Sequence, residues 1–170
     1  THSTSSAASD VYKRQAPDYV VVHKDQKDDF INETKNAVSD YFPDLKDNDD
    51  YTSIINQNHY DRLQDLLNDA VEKGATIDEI NPANEDFSQQ EHFKIPPTIV
   101  SNTTDDMKIM QEEIFGPLLP VVEYDEIDEA TKLINSKDRP LGLYYFGNDQ
   151  SEQDNICLLY TSDAADDVEC

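Results

Sequence analysis

Apolar positions along the chain follow two rhythms that predict alternating strands and helices. Residues 19–22 read Tyr-Val-Val-Val, a short continuous apolar run of the kind found in a strand buried on both faces. Phe30, Ile31, Thr34, Ala37, Val38, Tyr41 and Phe42 then recur at helical spacing, and Pro43 stops the helix. A second helical face follows in Tyr60, Leu63, Leu66, Leu67, Ala70 and Val71. Asn56 or Asn58 is placed to cap its start and Gly74 its end. Residues 77–80 and 98–100 are short strand candidates. Residues 118–122 form a firmer one, in which Pro120 favours an edge or a bulge because it has no N–H to donate. Asp125 is expected to cap a third helix with Ile127, Ala130, Thr131 and Ile134 facing inward, and residues 141–146 are the last strand candidate. Strands alternating with helices of this length predict an α/β fold, a mostly parallel sheet flanked by helices.

Both ends depart from this pattern. Residues 1–15 are rich in Ser, Thr and Ala and then turn basic, with no period of 2 or 3.6. Residues 157–170 break off from the helix that the preceding residues begin. VYKRQ at 11–15 and LLYTSDAAD at 158–166 resemble peptides produced when a sequencing adapter is translated. The expected organisation is therefore an adapter-like tail at 1–15, a body at 16–156 and a second such tail at 157–170. Genuine disordered tails are the alternative. Neither tail has a periodic apolar face able to offset the ordering entropy of ~1–2 kcal/mol per residue.

Composition narrows the function classes. The net charge of −24 repels phosphate backbones and argues against nucleic acid as a partner. Residues 1–15 carry +1 and 157–170 carry −4, which leaves −21 on the body. No apolar run approaches the ~18–20 residues of a membrane span, and the N-terminal stretch has no apolar segment of a secretory signal. A soluble, cytoplasmic protein is expected. Cys157 and Cys170 form no CxxC, and His2, His23, His59 and His92 show no HxxxH or HExxH spacing, so neither a disulfide framework nor a metal site is expected. Asp47-Asn48-Asp49-Asp50 lacks the glycine and the following glutamate of an EF-hand loop and reads as a solvated turn. Periodicity and composition alone reach only an acidic α/β domain, which also admits a non-enzymatic binding module.

Motifs go further. Residues 111–117, QEEIFGP, match a motif of the aldehyde dehydrogenase superfamily. Residues 16–20, APDYV, match the segment that follows the active-site cysteine in its class-3-like branch. DNDDYTSIINQNHYDRLQDLLNDA and EINPANEDF resemble bacterial coniferyl-aldehyde dehydrogenases in particular, and INSKDRPLGLYYFGND resembles the family's strand after the third helix. The likeness covers essentially all of 16–156, in order.

The resemblance implies a partial catalytic domain of an NAD- or NADP-dependent enzyme that oxidises an aromatic, coniferyl-type, or medium-chain aldehyde to the acid. In the family a cysteine thiolate attacks the aldehyde, an oxyanion hole holds the adduct, and a glutamate activates the water that hydrolyses the thioester. The cysteine precedes APDY in a GQTCxAPDY context, and Arg14 occupies that position here. The general-base glutamate, the oxyanion-hole asparagine and the cofactor domain belong to segments the resemblance places upstream. No catalytic residue is therefore assigned, and the chain alone is expected to be inactive. For the cofactor, the resemblance assigns Glu113 to the nicotinamide ribose hydroxyls and Phe115 to packing beside the nicotinamide, with Gly116-Pro117 setting the turn. Glu112 is assigned a surface or structural role. The whole enzyme is expected to be a homo-oligomer.

Overall fold

The computed structural model describes residues 17–137 and 142–161, with backbone alone for 157–161. The expected tail at 1–15 and residues 162–170 of the second tail lie outside the described residues. The chain divides into two compact units, Thr1–Glu123 and Tyr124–Cys170.

The first unit is an α/β layer. Strand β1 (Val20–His23) leads through a 3-10 turn at Lys24–Gln26 into α1 (Lys27–Tyr41), and then come α2 (Gln57–Glu72), β2 (Thr76–Glu79), β3 (Thr98–Ser101) and β4 (Leu118–Tyr124). The sheet order is β1-β4-β3-β2. β3 and β4 pair in parallel, Thr98 opposite Leu118, and β2 is the antiparallel edge strand, Thr76 opposite Ser101. All four residues of β3 are buried, as a central strand covered on both faces requires.

Alternation along β3 and β4 divides the core in two. Val100 and Leu118 join Leu63, Leu66 and Ala70 of α2 on one face. Ile99 and Val121 join Ile31 of α1 and Ile80 on the other. A fully buried Leu contributes roughly 1.5–3 kcal/mol, so the apolar stripe of α2 outweighs the small propensity differences along it. The inward face of α1 is narrower than its spacing suggested: Ala37 is exposed, and Tyr41 is 79% exposed.

Helix ends resolve the open choices. Asn56 is the N-cap of α2, its side chain accepting from the His59 N–H at 3.0 Å. Gly74, at φ +93°, closes the helix: its N–H donates to the Val71 carbonyl at 3.0 Å and the Ala75 N–H to the Ala70 carbonyl at 2.9 Å. Only glycine adopts this left-handed conformation cheaply.

Pro120 is a correction. It is buried in the interior strand β4, opposite Val100, rather than at an edge or bulge. The Thr98 N–H donates to the Pro117 carbonyl at 2.8 Å, so Leu119 is the β4 residue that donates toward β3 and Pro120 turns its nitrogen to the β1 side. The missing donor therefore costs the β3 ladder nothing.

In the second unit, α3 (Ile127–Ser136) keeps its inward face, with Ala130 buried. Its N-cap is Glu126, not Asp125; the Glu129 carboxylate instead reaches back to accept from the Asp125 N–H at 2.9 Å. No strand forms at 142–146, and Leu141 lies outside the described residues. Tyr144 and Phe146 are 75% and 93% exposed; with no strand paired alongside among the described residues, the apolar run has no ladder to join. Helix α4 (Gln150–Thr161) continues five residues past the boundary expected at 156. Among the described residues no helix is long and apolar enough to cross a membrane.

The acidic turn after α1 is organised around a buried ammonium. Lys94, 6% exposed, donates from Nζ to the Leu45 carbonyl at 3.0 Å and the Asn48 carbonyl at 2.7 Å. Glu85 accepts from the Leu45 and Lys46 N–H groups at 2.7 and 3.1 Å. The turn thus carries its own cation. Lys94→Met strips two carbonyls of charge-assisted donors and should lower unfolding free energy by about 1–3 kcal/mol. Chemical denaturation measures this, and an unchanged midpoint and slope would contradict the assignment.

Tyr51 closes the same turn, donating its hydroxyl to the Ile95 carbonyl at 2.6 Å and meeting the Phe42 ring edge-on at 5.3 Å. Burial pushes the Tyr51 phenol well above its ordinary value. A phenol whose folded value is raised contributes stability that is fully present below the unfolded value, about 10, and is lost as pH rises beyond it. Alkaline unfolding should therefore steepen above pH ~10, and Tyr51→Phe should flatten that limb. An equal slope in wild type and variant would exclude Tyr51 as its source.

Candidate functional site

The 111–117 segment runs from the 3-10 turn at Lys108–Met110 to the start of β4. Within it, exposure alternates: Glu113 is exposed, Ile114 is 1% exposed and Phe115 is 46% exposed. Ile114 enters the core beside Leu63, Val100 and Leu118 and anchors the turn, so that its two neighbours lie on the exposed side. Phe115 holds φ +45°, a left-handed conformation that a bulky side chain adopts at a cost of order 1–3 kcal/mol. The chain bends at Gly116 and Pro117, as expected. A Cβ at Gly116 would stand 2.6 and 2.7 Å from the two Leu63 methyl carbons, so glycine there also permits close approach to α2, while Phe115 carries the left-handed φ.

Helix α2 holds this segment and the 3-10 turn that precedes it. Asp69 accepts from the Lys108 N–H at 2.8 Å and pairs with Lys73 at 3.0 Å. These donors, the Lys108 N–H foremost, hold the Asp69 carboxyl below its usual range. Seven residues earlier, Arg62 donates from Nη1 to the Glu113 carbonyl at 2.9 Å and from Nη2 to the Ile114 carbonyl. The Glu112 carboxylate lies 3.9 Å from the same guanidinium. On the other side of the peptide, the Ile114 N–H donates to Asp18 Oδ1 at 3.1 Å. Asp18 lies in the APDYV segment, so this one bond joins two motifs 96 residues apart. Tyr19, next in line, packs against the α2-side core. Burial first, then the Asp18 charge, push the Tyr19 phenol upward.

Glu113 and Phe115 thus sit on one exposed turn whose backbone is fixed from two sides. Among the described residues, no hydrogen bond or ion pair engages the Glu113 carboxylate, whereas that of Glu112 faces Arg62. Arg62 was not singled out by sequence reasoning. The available signal was weak: an arginine directly before the core residue Leu63, on the flank of an apolar helix face. Among the described residues no group of three or more His, Cys, Asp or Glu side chains is placed to hold a metal ion.

A four-stranded sheet with a parallel central pair, helices on both faces, and a clamped turn presenting a carboxylate and an aromatic ring place the chain in the layered α/β class. The family model of the aldehyde dehydrogenase family matches residues 15–157. A probable coniferyl aldehyde dehydrogenase of Caulobacter vibrioides is 54% identical over 147 residues, which are 86% of this chain and 30% of the relative. The coniferyl aldehyde dehydrogenase of a Pseudomonas species is 45% identical over 149 residues, 88% of this chain and 31% of that protein. The structure of Staphylococcus aureus AldH in a substrate-bound state superposes with a TM-score of 0.71 at 35% identity, covering 84% of this chain and 30% of that one. The chain belongs to the aldehyde dehydrogenase family, and it spans about 30% of the length of these relatives.

Proposed function

We propose that this segment works within an NAD- or NADP-dependent aldehyde dehydrogenase, cytoplasmic and homo-oligomeric, that oxidises a coniferyl-type aromatic aldehyde to its acid. Its part in that enzyme is to position the nicotinamide end of the cofactor. The observation that carries this reading is the contrast at 112–113: the Glu113 carboxylate is unengaged while its own backbone is held. The substrate class rests on the relatives named coniferyl aldehyde dehydrogenases.

The residues present fit a nicotinamide riboside. A carboxylate accepts from both hydroxyls of a ribose at once, and two charge-assisted bonds fix the sugar more firmly than one. An exposed aromatic ring two residues on offers a flat apolar wall to a heteroaromatic ring. When bound, the nicotinamide supplies the hydride acceptor for aldehyde oxidation. Glu113 holds the sugar, Phe115 limits the ring's tilt, and Ile114 keeps both on one rigid turn. Rigid placement matters because transfer requires close, aligned atoms. Glu113→Gln in a full-length enzyme carrying this segment tests the reading through the rate of hydride transfer, and an unchanged rate overturns it.

A further inference from the structure

We infer that Arg62 and Asp18 are positioning residues for the cofactor turn, a role that rests on the reading of Glu113 and Phe115 just given. The turn has a conformational problem. Phe115 is held left-handed at φ +45°, and residues 113–115 belong to neither helix nor strand, so no ladder secures their peptide groups. Three hydrogen bonds supply what the ladder does not. Arg62 takes the carbonyls of Glu113 and Ile114 with separate nitrogens of one guanidinium, and Asp18 takes the Ile114 N–H. A guanidinium is suited to this because its donors are fixed in one plane, so two carbonyls bound to it are fixed relative to each other. The peptide planes on both sides of Ile114 are therefore set, and with them the directions in which Glu113 and Phe115 leave the backbone.

The Asp18 bond adds a second consequence. It ties the turn to the APDYV segment, four residues after the position that the family resemblance gives to the nucleophile. In the whole enzyme the segment that follows the nucleophile and the cofactor turn are then held in register through one side chain. Arg62 fixes the turn to α2, and Asp18 fixes it to the residues leading into β1.

Two measurements test this. In the 170-residue chain, Asp18→Ala should raise amide exchange at Ile114 by about tenfold or more, while Asp18→Asn, which keeps an oxygen at the same place, should preserve protection. Unchanged exchange in Asp18→Ala overturns the tie to the APDYV segment. For Arg62, residues 17–156 replace the matching segment of the Caulobacter relative, and two reactions are followed. Hydride transfer needs the cofactor turn; hydrolysis of an activated ester uses nucleophile and water but no hydride. Arg62→Met should slow hydride transfer by roughly tenfold or more and bring out a primary deuterium isotope effect, with ester hydrolysis within about twofold. Arg62→Lys retains charge and stem but cannot span both carbonyls, so it should fall between. Parallel loss of both reactions, or loss of neither, overturns the positioning role. Glu113→Gln in the same assay separates the two claims: if it slows hydride transfer while Arg62→Met does not, only the clamp fails. If Glu113→Gln has no effect, the ribose reading fails.

Discussion

No NADH or NADPH should form when the 170-residue chain is mixed with coniferyl aldehyde and either cofactor. The expected loss is complete, because covalent aldehyde oxidation needs an activated thiolate and a positioned base. The family resemblance places the nucleophile at the position of Arg14, and Cys157 and Cys170 stand more than a hundred positions away in sequence. Arg14→Cys should not restore turnover, since the family resemblance assigns the general base and the cofactor domain to other segments, and a nucleophile needs both to be effective. Following absorbance of the reduced nicotinamide is sufficient. Formation above the uncatalysed rate in the unmodified chain would show that the catalytic assignment is wrong.

The second large effect concerns Glu113. In a full-length enzyme carrying this segment, Glu113→Gln keeps the side-chain shape but replaces a charge-assisted acceptor with a neutral one. The cost of about 1–3 kcal/mol for such a bond corresponds to roughly tenfold to a hundredfold in rate if felt fully in the transition state. The loss should appear in the hydride-transfer step, with a larger deuterium isotope effect and a modest change in cofactor KM. Glu112→Gln is the comparison. Its carboxylate stands 3.9 Å from Arg62 and is half exposed, and a loose exposed pair of that kind contributes about 0–1 kcal/mol. A Glu112→Gln effect larger than that of Glu113→Gln would mean that the two glutamates have been assigned the wrong way round.

Some elements were legible for plain reasons. The α2 face from Tyr60 to Ala70 has a strong 3.6 period, an Asn before it and a Gly after it, and each signal acts locally, whereas Val71, expected on the same face, is 56% exposed. Leu118, Val121 and Val122 read as strand because both faces of β4 are buried. Where local signals conflicted with the fold, they failed. Pro120 has no donor, and from sequence it belonged at an edge; only the parallel register with β3 shows that its nitrogen turns to the other side. Asp125 has the chemistry of a cap, yet Glu126 takes the position and Glu129 reaches back instead. The aromatic run at 142–146 has strand composition, but composition does not provide a neighbour to pair with.

The candidate site divides in the same way. The residue types at Glu113 and Phe115, and their spacing around an apolar Ile114, are properties of the linear chain, and with the motif resemblance they sufficed to name both. Which glutamate is engaged was not visible there, because adjacent carboxylates look alike until a partner from elsewhere distinguishes them. Arg62 makes that distinction from 51 residues away, and Asp18 acts on the same peptide from 96 residues away. Sequence by itself determined the elements with a single strong period, the acidic charge and the family motifs, since these depend on neighbours along the chain. The tertiary structure alone decided which backbone groups are held, where a lysine is buried and which carboxylate is left unengaged. Hydrogen bonds between distant segments depend on distance in space, and that is set only when α2, β1 and the 111–117 turn have packed.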